Sequence, residues 1–197
     1  MSFRIEQKLY VRKENLLNFK EFLNKKCAKG IHEPRTIESL YFDNHQLDAY
    51  RESLEGLVPR KKIRIRYYPN NEDQKIYLEI KNSSVEGRFK TRKILTKDQF
   101  QEKLNQGIFD NQYGTCYPKI YVNYEREYFL FKDVRISVDT NIQYRNYDTN
   151  FVFNDDKVIA ELKTSINKDL NELTEDFPSQ RIRFSKYSFG VEKLLHH

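Results

Sequence analysis

The chain has 197 residues, enough to bury a sizeable core in one domain without disulfides. Charged residues make up 32% of it, and 35 Lys and Arg against 29 Asp and Glu leave a net charge of +6, an excess that suits an anionic partner without singling out nucleic acid. With 14 Tyr, 14 Phe, 6 Gly and 5 Pro, the composition excludes a disordered chain and favours strands packed by aromatic rings.

The elements follow in chain order. Phe3–Val11 alternates and predicts a strand, with Phe3, Ile5, Leu9 and Val11 on one face and Arg4, Glu6, Lys8 and Tyr10 on the other. Leu16, Leu17, Phe19, Phe22 and Leu23 form an apolar stripe that predicts a helix from about Lys13 to Lys26, with Cys27 on its core edge and Gly30 and Pro34 punctuating the exit. "TIESLYFDN" reads as a strand and Leu47–Leu54 as a short helix stopped by Gly56. Strands over Lys61–Tyr68 and Ile76–Lys81 are joined by the polar turn "PNNEDQ", and "EGRFKTRKIL" supplies another strand before Thr96 caps a helix to about Asn105. Further strands are expected at Lys119–Phe131 and Arg135–Thr140, a hairpin-like pair at "QYRNY" and "FVFN", and a last strand at Val158–Lys163. Helices close the chain near Lys168–Phe177 and Lys186–Leu195. No internal repeat or linker divides it, so one domain over residues 1–197 is expected.

Cys27 and Cys116 lack metal-ligand spacing and read as reduced thiols of a cytoplasmic protein. No apolar run nears the roughly 20 residues that cross a bilayer, and "MSFRIEQKLYV" lacks a signal core. His196 and His197 carry no assigned role.

In "RKKIRIRYY", Lys62, Arg64 and Arg66 alternate with Ile63, Ile65 and Tyr67, which lines one strand face with like charges. The pattern recurs as Arg4, Glu6 and Lys8; Tyr77, Glu79 and Lys81; Arg88, Lys90 and Arg92; Tyr124, Arg126 and Tyr128; Arg135, Ser137 and Asp139; and Glu161 and Lys163. One such face is an ordinary solvated sheet surface. Seven of them, dominated by long cations, predict an α+β fold whose antiparallel strands close into a barrel, a charged tunnel with peripheral helices outside. Arginine forks and lysine point charges suit a phosphate chain, and carboxylates among them call for a hard cation, Mg2+ or Mn2+.

"FRIEQKLYV", "SLYFDN", "KKIRIRYY", "YLEIK", "YEREYF", "ISVD", "AELK" and "FSKYSFG" stand in the order seen in the VTC domain. The chain resembles this catalytic part of the vacuolar transporter chaperone polyphosphate polymerase, a triphosphate tunnel metalloenzyme, from about Phe3 to Leu195. The resemblance implies transfer of the ATP terminal phosphoryl group to a polyphosphate chain. It implies catalytic roles for Lys8, Arg64, Arg66, Lys81, Lys90, Arg126 and Lys186. Arg64, Arg66, Lys81, Arg92, Arg126, Arg135, Lys163 and Ser185 would bind ligand, and Glu161 would hold the metal. Glu6, Glu79 and Asp139 would orient cations, while Arg4, Arg88 and Lys62 lie toward strand ends. Tyr41, Tyr67, Tyr77, Tyr124 and Tyr128 read first as packing groups, although one that faces inward could touch phosphate.

Relatives that hydrolyse thiamine triphosphate or make cyclic AMP carry Glu-x-Glu-x-Lys on the first strand. This chain has Arg4 at the first carboxylate position, as the polymerase branch does, which disfavours a two-metal hydrolase. The likeness covers only the central domain of the eukaryotic enzymes, so a stand-alone bacterial-type version is expected, with a separate membrane partner still open. A tripolyphosphate or nucleoside triphosphate hydrolase and a non-catalytic polyphosphate or nucleotide binder would use the same residues. Nucleic acid is not expected, because cations that alternate with acids on a closing face differ from an open basic track.

Overall fold

The alternation at the start of the chain becomes β1 (Arg4–Val11), and a 3-10 turn then leads into α1 (Leu16–Lys25). The computed structural model describes residues 4–70, 75–165 and 179–195. β2 (Lys29–Asp43) starts earlier than expected and takes in both Gly30 and Pro34. Its first residues are mostly exposed, where a proline's missing N–H is tolerated. Next come α2 (Asp48–Glu55), β3 (Arg60–Tyr67), β4 (Ile76–Ser84), β5 (Gly87–Leu95) and α3 (Lys97–Gln106). The Thr96 side chain accepts from Gln99 N while the Gln99 side chain accepts from Thr96 N, a capping box that sets the start of α3. β6 (Ile108–Asp110), β7 (Gly114–Phe131), β8 (Val134–Asn146), β9 (Val152–Asp155), β10 (Val158–Ser165), β11 (Gln180–Arg181) and α4 (Lys186–Leu195) follow. "QYRNY" mostly continues β8, and β9 pairs with that strand. Cys27 sits beyond α1 at φ 57 and is exposed, not on a core edge. The helix expected near Lys168–Phe177 lies outside the described residues.

The α+β class and the large antiparallel sheet are present, but the expected closed barrel is not. The hydrogen-bonded strand order is β11-β1-β10-β8-β7-β2-β3-β4-β5, with β6 on β7 and β9 on β8. Closure needs the two end strands to pair, and among the described residues this path ends at β11 on one side and β5 on the other. β11 has two residues, too few to carry a seam. β5 is exposed along most of its length and carries Arg88, Lys90, Arg92 and Lys93, charges of the kind that keep an edge strand from pairing.

The residues sort into two compact units. The first comprises the chain up to Arg35, Tyr124–Ile142 and Asn154–Phe184. Its core sets Leu9 and Val11 of β1, Val134, Ile136 and Val138 of β8, and Val158, Ala160 and Leu162 of β10 against Phe19 and Leu23 of α1. The second comprises Thr36–Asn123, Gln143–Phe153 and the chain from Ser185. There Leu40, Phe42, Ile63 and Ile65 pack with Ala49 of α2, with Phe100 and Leu104 of α3 against them. In both units the helices cover the apolar strand faces, which leaves the charged faces for other work. No helix among the described residues is long and apolar enough to cross a membrane.

Candidate functional site

In the second unit, strand register turns the alternating cations into transverse rows. Lys62 on β3 stands opposite Lys81 on β4, which stands opposite Lys90 on β5. Like charges directly opposite repel, so the row needs anions beside it, and Glu79 supplies one by pairing with Lys90. The next row reads Tyr41, Arg64, Glu79 and Arg92, and the one after it Ser39, Arg66 and Tyr77.

Glu79 has no exposed surface and organises the middle row. Arg64 donates to one of its oxygens from Nε at 2.9 Å and Nη2 at 2.6 Å. Lys90 and Arg92, the latter at 3.2 Å, form ion pairs with the other oxygen. Burial alone pushes this carboxyl up; the charges of Arg64 and Arg66 and the hydrogen bonds from Lys90 and Arg64 outweigh it and hold it at about 2. Burial also lowers Lys90, against the pull of Glu79. Arg64 further donates from Nη1 to Tyr41 Oη at 3.0 Å, and Arg66 donates from Nε to Ser39 Oγ at 2.9 Å. Both arginines are 6% exposed, so their forks are preset rather than swinging in solvent.

Tyr41, read from the sequence first as a packing group, also stands in the charged row. It is buried, stacks on Tyr187 with ring centroids 5.0 Å apart, and its hydroxyl lies among cations. Burial would raise that phenol, but Arg64, Arg66 and Lys62 bring it down to about 8. The available signal was that Ser39 and Tyr41 alternate with Leu40 and Phe42, which puts them on the polar face of β2. Tyr187 Oη in turn donates to Asp43 at 2.5 Å, and Asp43 also accepts from the backbone N–H groups of Asn44, Ala49 and Tyr50. Ser185 Oγ accepts from Lys62 Nζ at 2.8 Å and from Ser188 N at 3.2 Å, so it serves partly as the N-cap of α4. Lys186, half-buried, opens that helix.

The first unit holds the second cluster. Lys8 on β1 stands opposite Glu161 on β10, and Glu161 opposite Ser137 on β8. One row away, Glu6, Lys163 and Arg135 are in register, with Arg135 exposed. Arg126 on β7 grips Asp139 with both arms, Nε at 2.5 Å and Nη2 at 2.7 Å, and lies 4.0 Å from a Glu161 oxygen. Burial works against the Arg126 charge, but Asp139 and Glu161 more than offset it and push the group above its ordinary range. Lys163 Nζ lies 3.4 Å from that Glu161 oxygen and 3.6 Å from Glu6. Lys8 Nζ donates to Phe184 O at 2.6 Å.

Among the described residues no three His, Cys, Asp or Glu side chains gather as a ready metal cage. Asp139 has both oxygens committed to Arg126. Glu161 is 8% exposed and forms ion pairs with Lys163 at 3.4 Å and Arg126 at 4.0 Å. One carboxylate fits a hard divalent ion that takes its remaining ligands from phosphate and water, as Mg2+ commonly does.

The second unit carries buried arginines and a lysine row on one antiparallel sheet face, and the first unit sets Glu161 among cations, features of an α+β protein suited to anions. The VTC domain family matches residues 3–195, and the chain belongs to that family. It thereby falls with the triphosphate tunnel proteins, which deal with nucleotides and polyphosphate, often use divalent metals and include enzymes. No curated protein matches the chain. Among solved structures, it is similar to a proposed adenylate cyclase from Bacillus halodurans at 13% identity and a TM-score of 0.65, covering 98% of this chain and 97% of that one. It is also similar to a proposed adenylate cyclase from Vibrio parahaemolyticus (15% identity, TM-score 0.60, 97% and 98% covered) and to PH1012 from Pyrococcus horikoshii (14%, 0.53, 88% and 85%). At such identities the likeness concerns the fold alone.

Proposed function

We propose that this chain is a polyphosphate polymerase-like phosphotransferase, with residues 1–197 acting as one VTC-like domain. In the reaction, a terminal oxygen of the phosphate-chain acceptor forms a bond to the γ-phosphorus of ATP. The bond from that phosphorus to the β,γ-bridging oxygen breaks, and ADP departs with the electron pair. Such transfer depends on positioning and charge compensation more than on a protein nucleophile.

Arg64, Arg66, Lys81 and Arg92 would hold the nucleotide phosphates, with Glu79 keeping Arg64, Lys90 and Arg92 aimed. Lys8, Lys90 and Lys186 would steady the acceptor and the leaving group, with Ser185 and Arg135 at the margins. In the first unit, Glu161 would hold Mn2+ or Mg2+, and Arg126 and Lys163 would sit beside it as phosphate ligands. When bound, that ion would neutralise phosphate charge. The observation that carries the reading is the Lys62, Lys81 and Lys90 row lying next to two buried arginines whose forks are already fixed. A cyclase reading is weaker, because Arg4 stands where the cyclic-AMP-forming relatives carry a carboxylate.

The test is incubation with ATP, Mn2+ and a short polyphosphate primer, followed by chain-length analysis. Polymer growth matched by ADP supports the proposal. ADP with free phosphate and no polymer would point to a hydrolase, and binding without turnover to a non-catalytic binder.

A further inference from the structure

β5 is an edge strand of the second unit: it pairs with β4, and among the described residues no other strand lies beside it. Ser84 and Gly87 face each other across a two-residue turn, so they form a hydrogen-bonded pair. Bonded and non-bonded pairs alternate from there along an antiparallel ladder. Phe89, Thr91 and Lys93 therefore bond back to β4, while the N–H and C=O groups of Lys90, Arg92 and Ile94 point to the outer edge. Such a row of backbone groups is a template for one more strand.

The side chains decide which strand. β5 carries four cations, Arg88, Lys90, Arg92 and Lys93, and no acid. Arg88, Lys90 and Arg92 share a face, opposite Ser83, Lys81 and Glu79 of β4. Glu79 serves Arg64 as well as Lys90 and Arg92, so one carboxylate is divided among three cations. The Lys90 and Arg92 side chains remain 42% and 41% exposed. On the other face Phe89 is exposed beside Thr91 and Lys93. A second copy of β5 does not fit this edge. Antiparallel self-pairing sets Lys90 against Lys90 or Arg92 of the other copy, and like charges directly opposite repel. The charges that keep the edge from its own kind select a strand of opposite sign.

We propose that the outer edge of β5 receives an extended acidic segment of a partner protein as an added strand, with alternate carboxylates meeting Arg88, Lys90 and Arg92. Main-chain hydrogen bonds supply affinity in this mode, and the alternation of side chains supplies specificity. Apolar side chains between the carboxylates would cover Phe89 and Thr91. Strand addition does not depend on the phosphate-transfer reading. Its one consequence that does is competition, since Lys90 and Arg92 are also assigned there to phosphate.

The probe is a blocked, labelled peptide of about seven residues alternating Glu and Val, enough to run along Arg88–Ile94 at one residue per strand position. Its anisotropy titration is compared with that of a block-ordered peptide of the same composition. Two further copies are methylated on one or the other alternate set of backbone nitrogens. The alternating peptide should bind the parent about tenfold tighter than the block-ordered one, the scale of three opposite-charge cross-strand pairs. Methylation of the set that faces β5 should abolish binding, and methylation of the other set should leave it. Ile94→Pro removes an N–H from the outer edge and none from the β4 ladder. It should weaken the peptide and keep the parent's tripolyphosphate affinity, with thermal unfolding to report that it folds. Equal affinity for the two peptide orders, or binding that survives methylation of either set, reduces the contact to charge attraction and overturns the added strand. Peptide binding by a parent that ignores tripolyphosphate overturns the phosphate reading and leaves strand addition standing.

Discussion

Arg64 and Glu79 face each other across β3 and β4, and the arginine closes two hydrogen bonds, at 2.9 and 2.6 Å, on one oxygen of a carboxylate with no exposed surface. A buried pair of this kind is weak evidence of net stability, because desolvating both charges consumes most of their attraction. It is strong evidence of placement. Glu79 trades its own solvation for a fixed arrangement of Arg64, Lys90 and Arg92.

The same pair sets an acid-stability limit. The folded-state carboxyl titrates at about 2 against an ordinary 4.5, so the ionised form is the one the fold favours. Its contribution is complete above about 4.5 and is lost as pH falls toward 2, with a magnitude of roughly 3 kcal/mol. Urea unfolding of the parent should show that loss over pH 4.5 to 2, and Glu79→Gln should have a flatter profile there. Glu79→Gln should also be several kcal/mol less stable at pH 7, since it leaves buried cations uncompensated. A variant as stable as the parent at neutral pH would contradict the hub.

Tyr41 predicts a pH dependence of binding. Its hydroxyl is faced by Lys62, Arg64 and Arg66 of β3, by Glu79 beyond Arg64, and by Tyr187 of α4, itself bonded to Asp43. Below about 8 the phenol is neutral; above it a phenolate forms beside Arg64 and competes with phosphate for that cation. Tripolyphosphate affinity should therefore fall as pH rises through 8 in the parent and stay level in Tyr41→Phe. Folding stability runs the other way: the fold favours the phenolate, so this group's contribution grows between about 8 and 10. Affinity titrations of both proteins from pH 6.5 to 9.5 decide it, and identical slopes would remove Tyr41 from the account.

Glu161 is expected to govern the response to metal rather than folding. In Glu161→Gln, the thermal shift produced by Mn2+ together with tripolyphosphate should vanish, while the shift from tripolyphosphate alone should persist. The loss of metal affinity should exceed the 10–100-fold typical of losing an outer-shell partner. An undiminished Mn2+ effect would reassign the metal to other residues.

Gly190 offers a prediction independent of ligands. A Cβ added there would meet Ile120 Cδ1 and Tyr144 Cδ1 at 2.6 Å, both on fully buried side chains. Gly190→Ala should destabilise the second unit by about 1–3 kcal/mol, the usual cost of overpacking. Denaturant midpoints of the two proteins would show it, and an unchanged midpoint would mean that α4 can shift without loss.

The period-two alternation in "RKKIRIRYY", "YLEIK" and "AELK" was sufficient to assign Arg64, Arg66, Glu79, Lys81, Glu161 and Lys163 to polar faces, because side chains alternate on any strand whatever its neighbours. The family followed from the order of such stretches, and the helices at α1, α3 and α4 from their apolar spacing and caps. Closure of the sheet was misjudged for a physical reason: open and closed sheets impose the same alternation, and only pairing of the end strands tells them apart. Partner choice was likewise a tertiary matter. That Arg126 grips Asp139, and that Glu161 stands between Lys8 and Ser137, depends on register between strands. The same holds for Tyr41, whose acidity arises from cations on a neighbouring strand and carries no mark of its own in the sequence.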